Sequence, residues 1–271
     1  MDAEVDGITL GAGLHLGSLE LMKEHPRFSE TLVGIIVSSA RALKLFLTRA
    51  ARVGRLPDYI VVEGPLAGGH LGFPENWQDF DLRTILREVC QLLESTGQQI
   101  PVIAAGGIFT GADGLAMMAE GAAGIQVATR FAVTRESGLP DHVKQAFFAA
   151  NEDDVVVNTI SATGYPMRML RQSPAIGSLM PPQCESLGYA LDGAGHCSYL
   201  DAYEHRSTDK TCLCAHMRNY TIWTCGHTVS RLKDTAVRLP DGTYEQPAAA
   251  EVLRDYLTND AVPEQVLAQA L

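Results

Sequence analysis

A chain of 271 residues, 46% hydrophobic and 20% charged, has the make-up of an ordinary globular protein, which excludes disorder along its whole length. A formal net charge of -11 without any block of Lys and Arg excludes nucleic acid as a partner, because like charges repel a phosphate backbone. No apolar run approaches the ~20 residues that span a bilayer, so a membrane is excluded too.

In chain order, Val5 to Leu10 reads as a strand that ends in the loop Gly11-Ala12-Gly13, and Leu19 to His25 as a short helix stopped near Pro26. Thr31 to Val37 is a buried strand, followed by Ser38-Ser39 as a helix N-cap. Leu43, Phe46, Leu47 and Ala50 recur at three- and four-residue spacing and predict a helix from Ala40 to Arg52. Tyr59 to Glu63 is the next strand, and Asp81 to Ser95 a helix with Leu82, Ile85, Leu86, Val89 and Leu93 on one face. Cys90 lies on that face and reads as core. Pro101 to Ala105 predicts a strand, Gly111 to Glu120 a helix and Gly124 to Val127 a strand. This alternation implies βα units around a parallel sheet covered on both faces, either an open doubly wound sheet or a closed barrel. Four to five strands are legible before residue 135.

After about residue 150 the periodicity fades. One strand is expected within Asn151 to Thr159, a turn at Pro240-Asp241-Gly242 and a terminal helix from Ala248 to Leu257. Tyr165 and Arg168 belong either to a lid or to a packed turn.

In either parallel architecture, chemistry belongs at the C-terminal ends of the strands. Three motifs lie there. Glu63-Gly64-Pro65-Leu66-Ala67-Gly68-Gly69-His70 places a histidine in a Gly-rich loop, where it either exchanges protons or satisfies a carbonyl. Ala104-Ala105-Gly106-Gly107 is a strand end whose amides would suit a phosphate, or simply a tight βα turn. Gln126-Val127-Ala128-Thr129 ends the following strand with a small residue and a hydroxyl. The last two, about twenty residues apart, suggest adjacent strands gripping one phosphate.

The group Cys184, His196, Cys197, His205, Cys212, Cys214, His216, Cys225 and His227 has metal-ligand composition. It contains no Cys-x-x-Cys pair, and its tight Cys-x-Cys and Cys-x-His spacings mismatch structural zinc, so no metal is expected. Reduced thiols, together with the acidic start Met1-Asp2-Ala3-Glu4, predict a cytoplasmic protein.

Together, Gly7 to Leu14, Pro57 to Gly64, Ala67 to Gly72, Ile103 to Ile108 and Gly124 to Phe131 resemble, in order, the nitronate monooxygenase family, formerly called 2-nitropropane dioxygenases. The flavin-dependent enoyl-ACP reductases share its fold. The resemblance implies a (β/α)8 TIM-type barrel with FMN at its C-terminal mouth over residues 1–172, and a Cys/His-rich extension with a terminal helix over 173–271. It implies that His70 is the catalytic base or anion partner. It further implies that Gly69, Gly106, Gly107, Gln126, Val127, Ala128 and Thr129 bind the cofactor, with Ala128 standing where glycine is usual. In family members Gly11-Ala12-Gly13 ends about the fourth strand, so three strands without counterparts here, open sheet edges and an incomplete flavin pocket are expected.

The implied reaction is oxidation of an alkyl nitronate or nitroalkane by O2, in a protein that allows homo-oligomers. NAD(P)H-dependent reduction of enoyl thioesters or quinones on the same scaffold, and an inactive fragment, are the alternatives.

Overall fold

The computed structural model describes residues 1–11, 13–159, 161, 165–176, 217 and 219–258. In chain order the elements are β1 (Gly7–Leu10), α1 (Ser18–Met22), β2 (Leu32–Val37), α2 (Ala40–Val53), β3 (Tyr59–Glu63), β4 (Gly69–His70), α3 (Leu82–Ser95), β5 (Val102–Ala105) and α4 (Gly111–Ala119). There follow β6 (Gly124–Gln126), α5 (Thr129–Ala132), α6 (Asp141–Ala149), β7 (Val155–Asn158), β8 (Met167–Leu170) and α7 (Ala249–Leu257). The chain divides into two compact units: residues 1–67, 72–127 and 253–271, and residues 68–71 and 128–252. Composition thus changes near residue 172, whereas packing groups 128–252 with the short stretch 68–71.

The first unit holds a five-stranded parallel sheet in the order β1-β2-β3-β5-β6. Parallel strands need crossovers, and the amphipathic helices supply them. Ser39 caps α2 by accepting a hydrogen bond from the Ala42 amide at 3.2 Å, and Gly54 closes the helix in the left-handed conformation. Leu43, Phe46 and Ala50 form its buried face. Asp81 caps α3 by accepting from the Thr84 amide at 2.9 Å, and Leu82, Ile85, Leu86, Val89 and Leu93 turn inward. Each such burial contributes roughly 1.5–3 kcal/mol, more than a cap does, so the apolar stripe fixes which face packs. Cys90 departs from expectation. It sits beside the stripe, only partly buried, with its Sγ 3.8 Å from the Gly121 carbonyl oxygen.

The second unit is built on a three-stranded antiparallel sheet in the order β4-β8-β7. Only β7 lies within a predicted strand. β8 replaces the expected lid or turn: all four of its residues are buried, and Arg168 has no exposed surface. Residues 221–225 extend along β8 beside β4. Leu170 N–H donates to the Trp223 carbonyl at 3.0 Å, Cys225 N–H to that of Arg168 at 3.4 Å, and Met169 bridges Thr224. The helix α6, which periodicity did not predict, buries Val143, Phe147 and Phe148 and packs against the 3-10 stretch His227–Thr235. The turn at 240–242 is as expected, with Gly242 N–H donating to the Leu239 carbonyl at 2.9 Å.

No helix among the described residues is long and apolar enough to cross a membrane. Cys184 to His216 lie outside the described residues. Among those described, no group of three or more His, Cys, Asp and Glu is placed to hold a metal.

Candidate active site

His70 is not a loop residue. It is the second residue of β4, in register with Met167, while Gly69 faces Arg168. The Leu71 amide then donates to the Pro166 carbonyl at 2.8 Å, so the backbone is held on both sides of the imidazole. Gly69 has φ +71, which an L side chain adopts only with strain, and this turn directs the chain into β4.

The His70 Nε2 lies 2.6 Å from the Ser161 Oγ, just beyond β7, and either atom can donate. The serine thus fixes the ring's orientation across the sheet. Beside them is a cavity of about 350 Å³. Its walls include Leu139, Val143, Met167, Ile222 and Trp223, and among the described residues that line it His70 is the one titratable side chain besides Tyr220.

Burial pushes the His70 pKa below the ordinary 6.5, so the ring is neutral at pH 7 and able to accept a proton. If His70 acts as a base, activity holds above this lowered pKa and falls as pH drops through it. The acid limb of kcat/KM should therefore have its midpoint below pH 6.5; a midpoint above that value removes His70 from the titration.

Stability carries the same sign. His227 is also depressed, first by burial and then by the charge of Arg168, with Glu152 opposing. An unfolded histidine takes up its proton near 6.5 while these two resist it. Stability present above 6.5 is thus lost as pH falls towards the folded values.

In the first unit, β5 runs directly into Gly106 and Gly107, with φ +89 and +90. A Cβ on Gly106 would lie 3.0 Å from the Gly64 carbonyl oxygen and 3.1 Å from the Ala67 nitrogen. One on Gly107 would lie 2.9 Å from Leu66 Cδ1. The loops after β3 and β5 therefore touch, and both glycines are required by conformation and by space. Gln126, the last residue of β6, has an exposed side chain.

The family model for nitronate monooxygenase matches residues 11–221. The chain belongs to the nitronate monooxygenase family. A similar protein is the (3aS,4S,5R,7aS)-5-hydroxy-7a-methyl-1-oxo-octahydro-1H-indene-4-carboxyl-CoA dehydrogenase of Mycobacterium tuberculosis, 40% identical over 42% of this chain and 30% of that protein. A probable nitronate monooxygenase of Staphylococcus haemolyticus is 37% identical over 38% of this chain and 29% of its own length. The matches thus span about a third or less of these relatives' length. Among solved structures, FabK from Thermotoga maritima superposes with a TM-score of 0.64 at 22% identity, covering all of this chain and 72% of that one. Nitroalkane oxidase from Streptomyces ansochromogenes gives 0.61 at 20% identity, covering 98% and 67%. These likenesses show the fold, an α/β architecture of TIM-barrel type.

In this nitronate monooxygenase-family chain, the residues singled out by sequence are divided by packing. Gly106, Gly107, Gln126 and Val127 belong to the first unit, and Gly69, His70, Ala128 and Thr129 to the second. Ala128 precedes the single-turn α5, and the Thr129 hydroxyl accepts from that of Thr228 at 3.2 Å. Sequence reasoning missed Ser161 and the wall formed by Ile222 and Trp223. No spacing signal links them to His70, since Ser161 is 91 residues away.

Proposed function

We propose that this protein is an FMN-dependent oxidoreductase that oxidises alkyl nitronates, or the nitroalkanes that give rise to them, with O2. The observation that carries the reading is the half-buried neutral imidazole of His70, held by Ser161 beside an apolar cavity. Family membership supports it.

A nitroalkane is a carbon acid. Neutral His70 accepts its α-proton, and the resulting imidazolium stands as counter-charge to the nitronate. Ser161 keeps the ring aimed while the charge changes. Gly106, Gly107, Ala128 and Thr129 would hold the FMN phosphate, with Gln126 and Val127 along the cofactor and Gly69 beside it. The two left-handed glycines suit that task, because their amides carry no side chain that would cover a phosphate. When bound, the flavin supplies an electron acceptor, and O2 completes the oxidation.

The test is to incubate the purified chain with FMN, desalt it and record the visible spectrum. A stoichiometric flavin band is expected. Gly106→Ala should lose it, because the methyl group meets the Gly64 and Ala67 backbone and the left-handed conformation costs about 1–2 kcal/mol. A colourless unmodified chain would mean an inactive fragment. A band equally strong in Gly106→Ala would remove this glycine from the grip.

A second reading is supported by the dehydrogenase from Mycobacterium tuberculosis, 40% identical over 114 residues. It is NAD(P)H-dependent reduction of an enoyl thioester or quinone. Rapid bleaching of bound flavin by NAD(P)H without air would favour it over nitronate oxidation.

A further inference from the structure

In the first unit, residues Gly106 to Thr110 join β5 to α4, and the loop is held at both ends. At its start stand the two left-handed glycines, whose Cα positions leave no room for a methyl group beside Gly64, Leu66 and Ala67. Further along, the Ile108 and Phe109 side chains are buried. At its end, one carboxylate oxygen of Asp113, Oδ2, accepts from the Phe109 N–H at 3.0 Å and from the Thr110 N–H at 2.9 Å. The Thr110 Oγ1 in return accepts from the Asp113 N–H at 3.1 Å, which completes a capping box.

An ordinary capping box ties its acidic residue to the N-cap amide alone. Asp113 takes the Phe109 amide as well, so it reaches back into the loop. The positive end of α4 and the two amides leading into it are therefore committed to the protein's own carboxylate. A phosphate at the end of β5 is left with the glycine half of the loop. The direction of the glycine amides depends on where the chain after them is fixed, and Asp113 fixes it. Glycine loses more conformational freedom on ordering than any other residue. A Gly-Gly turn that is already fixed at both ends does not have to be ordered by the ligand, and affinity gains accordingly.

We propose that Asp113 is a positioning residue for the FMN phosphate: its carboxylate closes the N-terminus of α4 and, through the Phe109 and Thr110 amides, holds the Gly106–Gly107 turn in the shape that grips the phosphate. The proposal rests on the reading of the chain as an FMN protein with its phosphate on these glycines. Asp113 acts through the loop and not on the phosphate, which its like charge would repel. The role needs an acceptor oxygen at this place and not a negative charge, so an amide side chain should serve as well.

The test compares FMN with riboflavin, which has the same ring system and no phosphate. Each is titrated into the full 271-residue chain and followed by quenching of flavin fluorescence. The unmodified chain should bind FMN more tightly than riboflavin. Asp113→Ala should weaken FMN about ten-fold, within the range for a lost helix cap, and leave riboflavin unchanged. Asp113→Asn, whose amide oxygen can accept from the same two N–H groups, should restore the preference for FMN. Thr110→Ala removes the other half of the box and leaves the Asp113 oxygen on both amides. It should lower the thermal midpoint as Asp113→Ala does, yet keep the preference for FMN. In the flavin-free chain, the amides of Gly106 to Thr110 should exchange hydrogen faster in Asp113→Ala than in either other variant.

Equal weakening of FMN and riboflavin in Asp113→Ala would mean a general loss of structure and would overturn the proposal. So would a loss in Asp113→Asn as large as that in Asp113→Ala. A preference for FMN that survives all three substitutions leaves the FMN reading intact and removes Asp113 alone. An unmodified chain with no preference for FMN over riboflavin sinks the phosphate grip itself, and the proposal with it.

Discussion

His70→Asn is expected to lower kcat on nitroalkanes by about 10²–10⁴-fold, the usual worth of a positioned general base, while FMN content stays unchanged. Asparagine keeps a polar side chain of similar reach but has no basic nitrogen at neutral pH. It can still hydrogen-bond to Ser161, so β4 keeps its pairing with β8 and the pocket keeps its shape. The glycines proposed for the phosphate, Gly106 and Gly107, belong to the other unit and are untouched. The loss should be confined to neutral nitroalkanes. Preformed nitronates need no proton removed, so on them the variant should lose much less. An equal loss on both would assign His70 to anion binding rather than to proton transfer. Unchanged kcat on both would remove it from the mechanism. Ser161→Ala should have a smaller effect, since it frees the ring's orientation without removing the base.

The contrast between the two units explains what was legible in the sequence. In the first, every strand and helix from β2 to β6 is local: an apolar run or stripe with a cap beside it. Ser39 announces one helix start, Asp81 and Thr110 cap α3 and α4 where the apolar stripes begin, and the boundaries follow within a residue or two. In the second, the elements depend on partners far along the chain. β8 reads Met-Arg-Met-Leu, and an arginine in so short a run argues against a buried strand. Only its neighbours β4, β7 and residues 221–225 make it one. α6 opens with Asp-His and carries the buried Lys144, whose Nζ donates to the Thr134 carbonyl at 2.8 Å and to Gln246 Oε1 at 3.1 Å. Those acceptors offset its burial, and none is visible to a helical period. The candidate base was legible because glycines surround it. Its partner and its pocket were not, because they reach it through long-range pairing.

The second large effect is expected at Gly68, which sequence reasoning treated only as part of a Gly-rich loop. Its Cβ position lies 2.4 Å from the Cys225 carbonyl carbon, 2.5 Å from the Gly226 nitrogen and 2.7 Å from the Cys225 oxygen. These are backbone atoms and cannot rotate aside as a side-chain tip does. Cys225 is itself buried, its thiol pushed up to about 12 by burial against the opposing charge of Arg168, so the segment has no room to retreat inward. Gly68→Ala should therefore cost roughly 1–3 kcal/mol, the range for overpacking, and lift residues 221–226 from their seat. The denaturant midpoint should fall, and Trp223 emission should shift because its wall moves. Gly69→Ala is the control. Its Cβ would meet nothing within 4 Å, so its cost comes from the left-handed backbone alone and should leave Trp223 emission unchanged. An unaltered midpoint and emission in Gly68→Ala would mean that the extension does not rest on the His70 loop. In that case it would not form the pocket wall either.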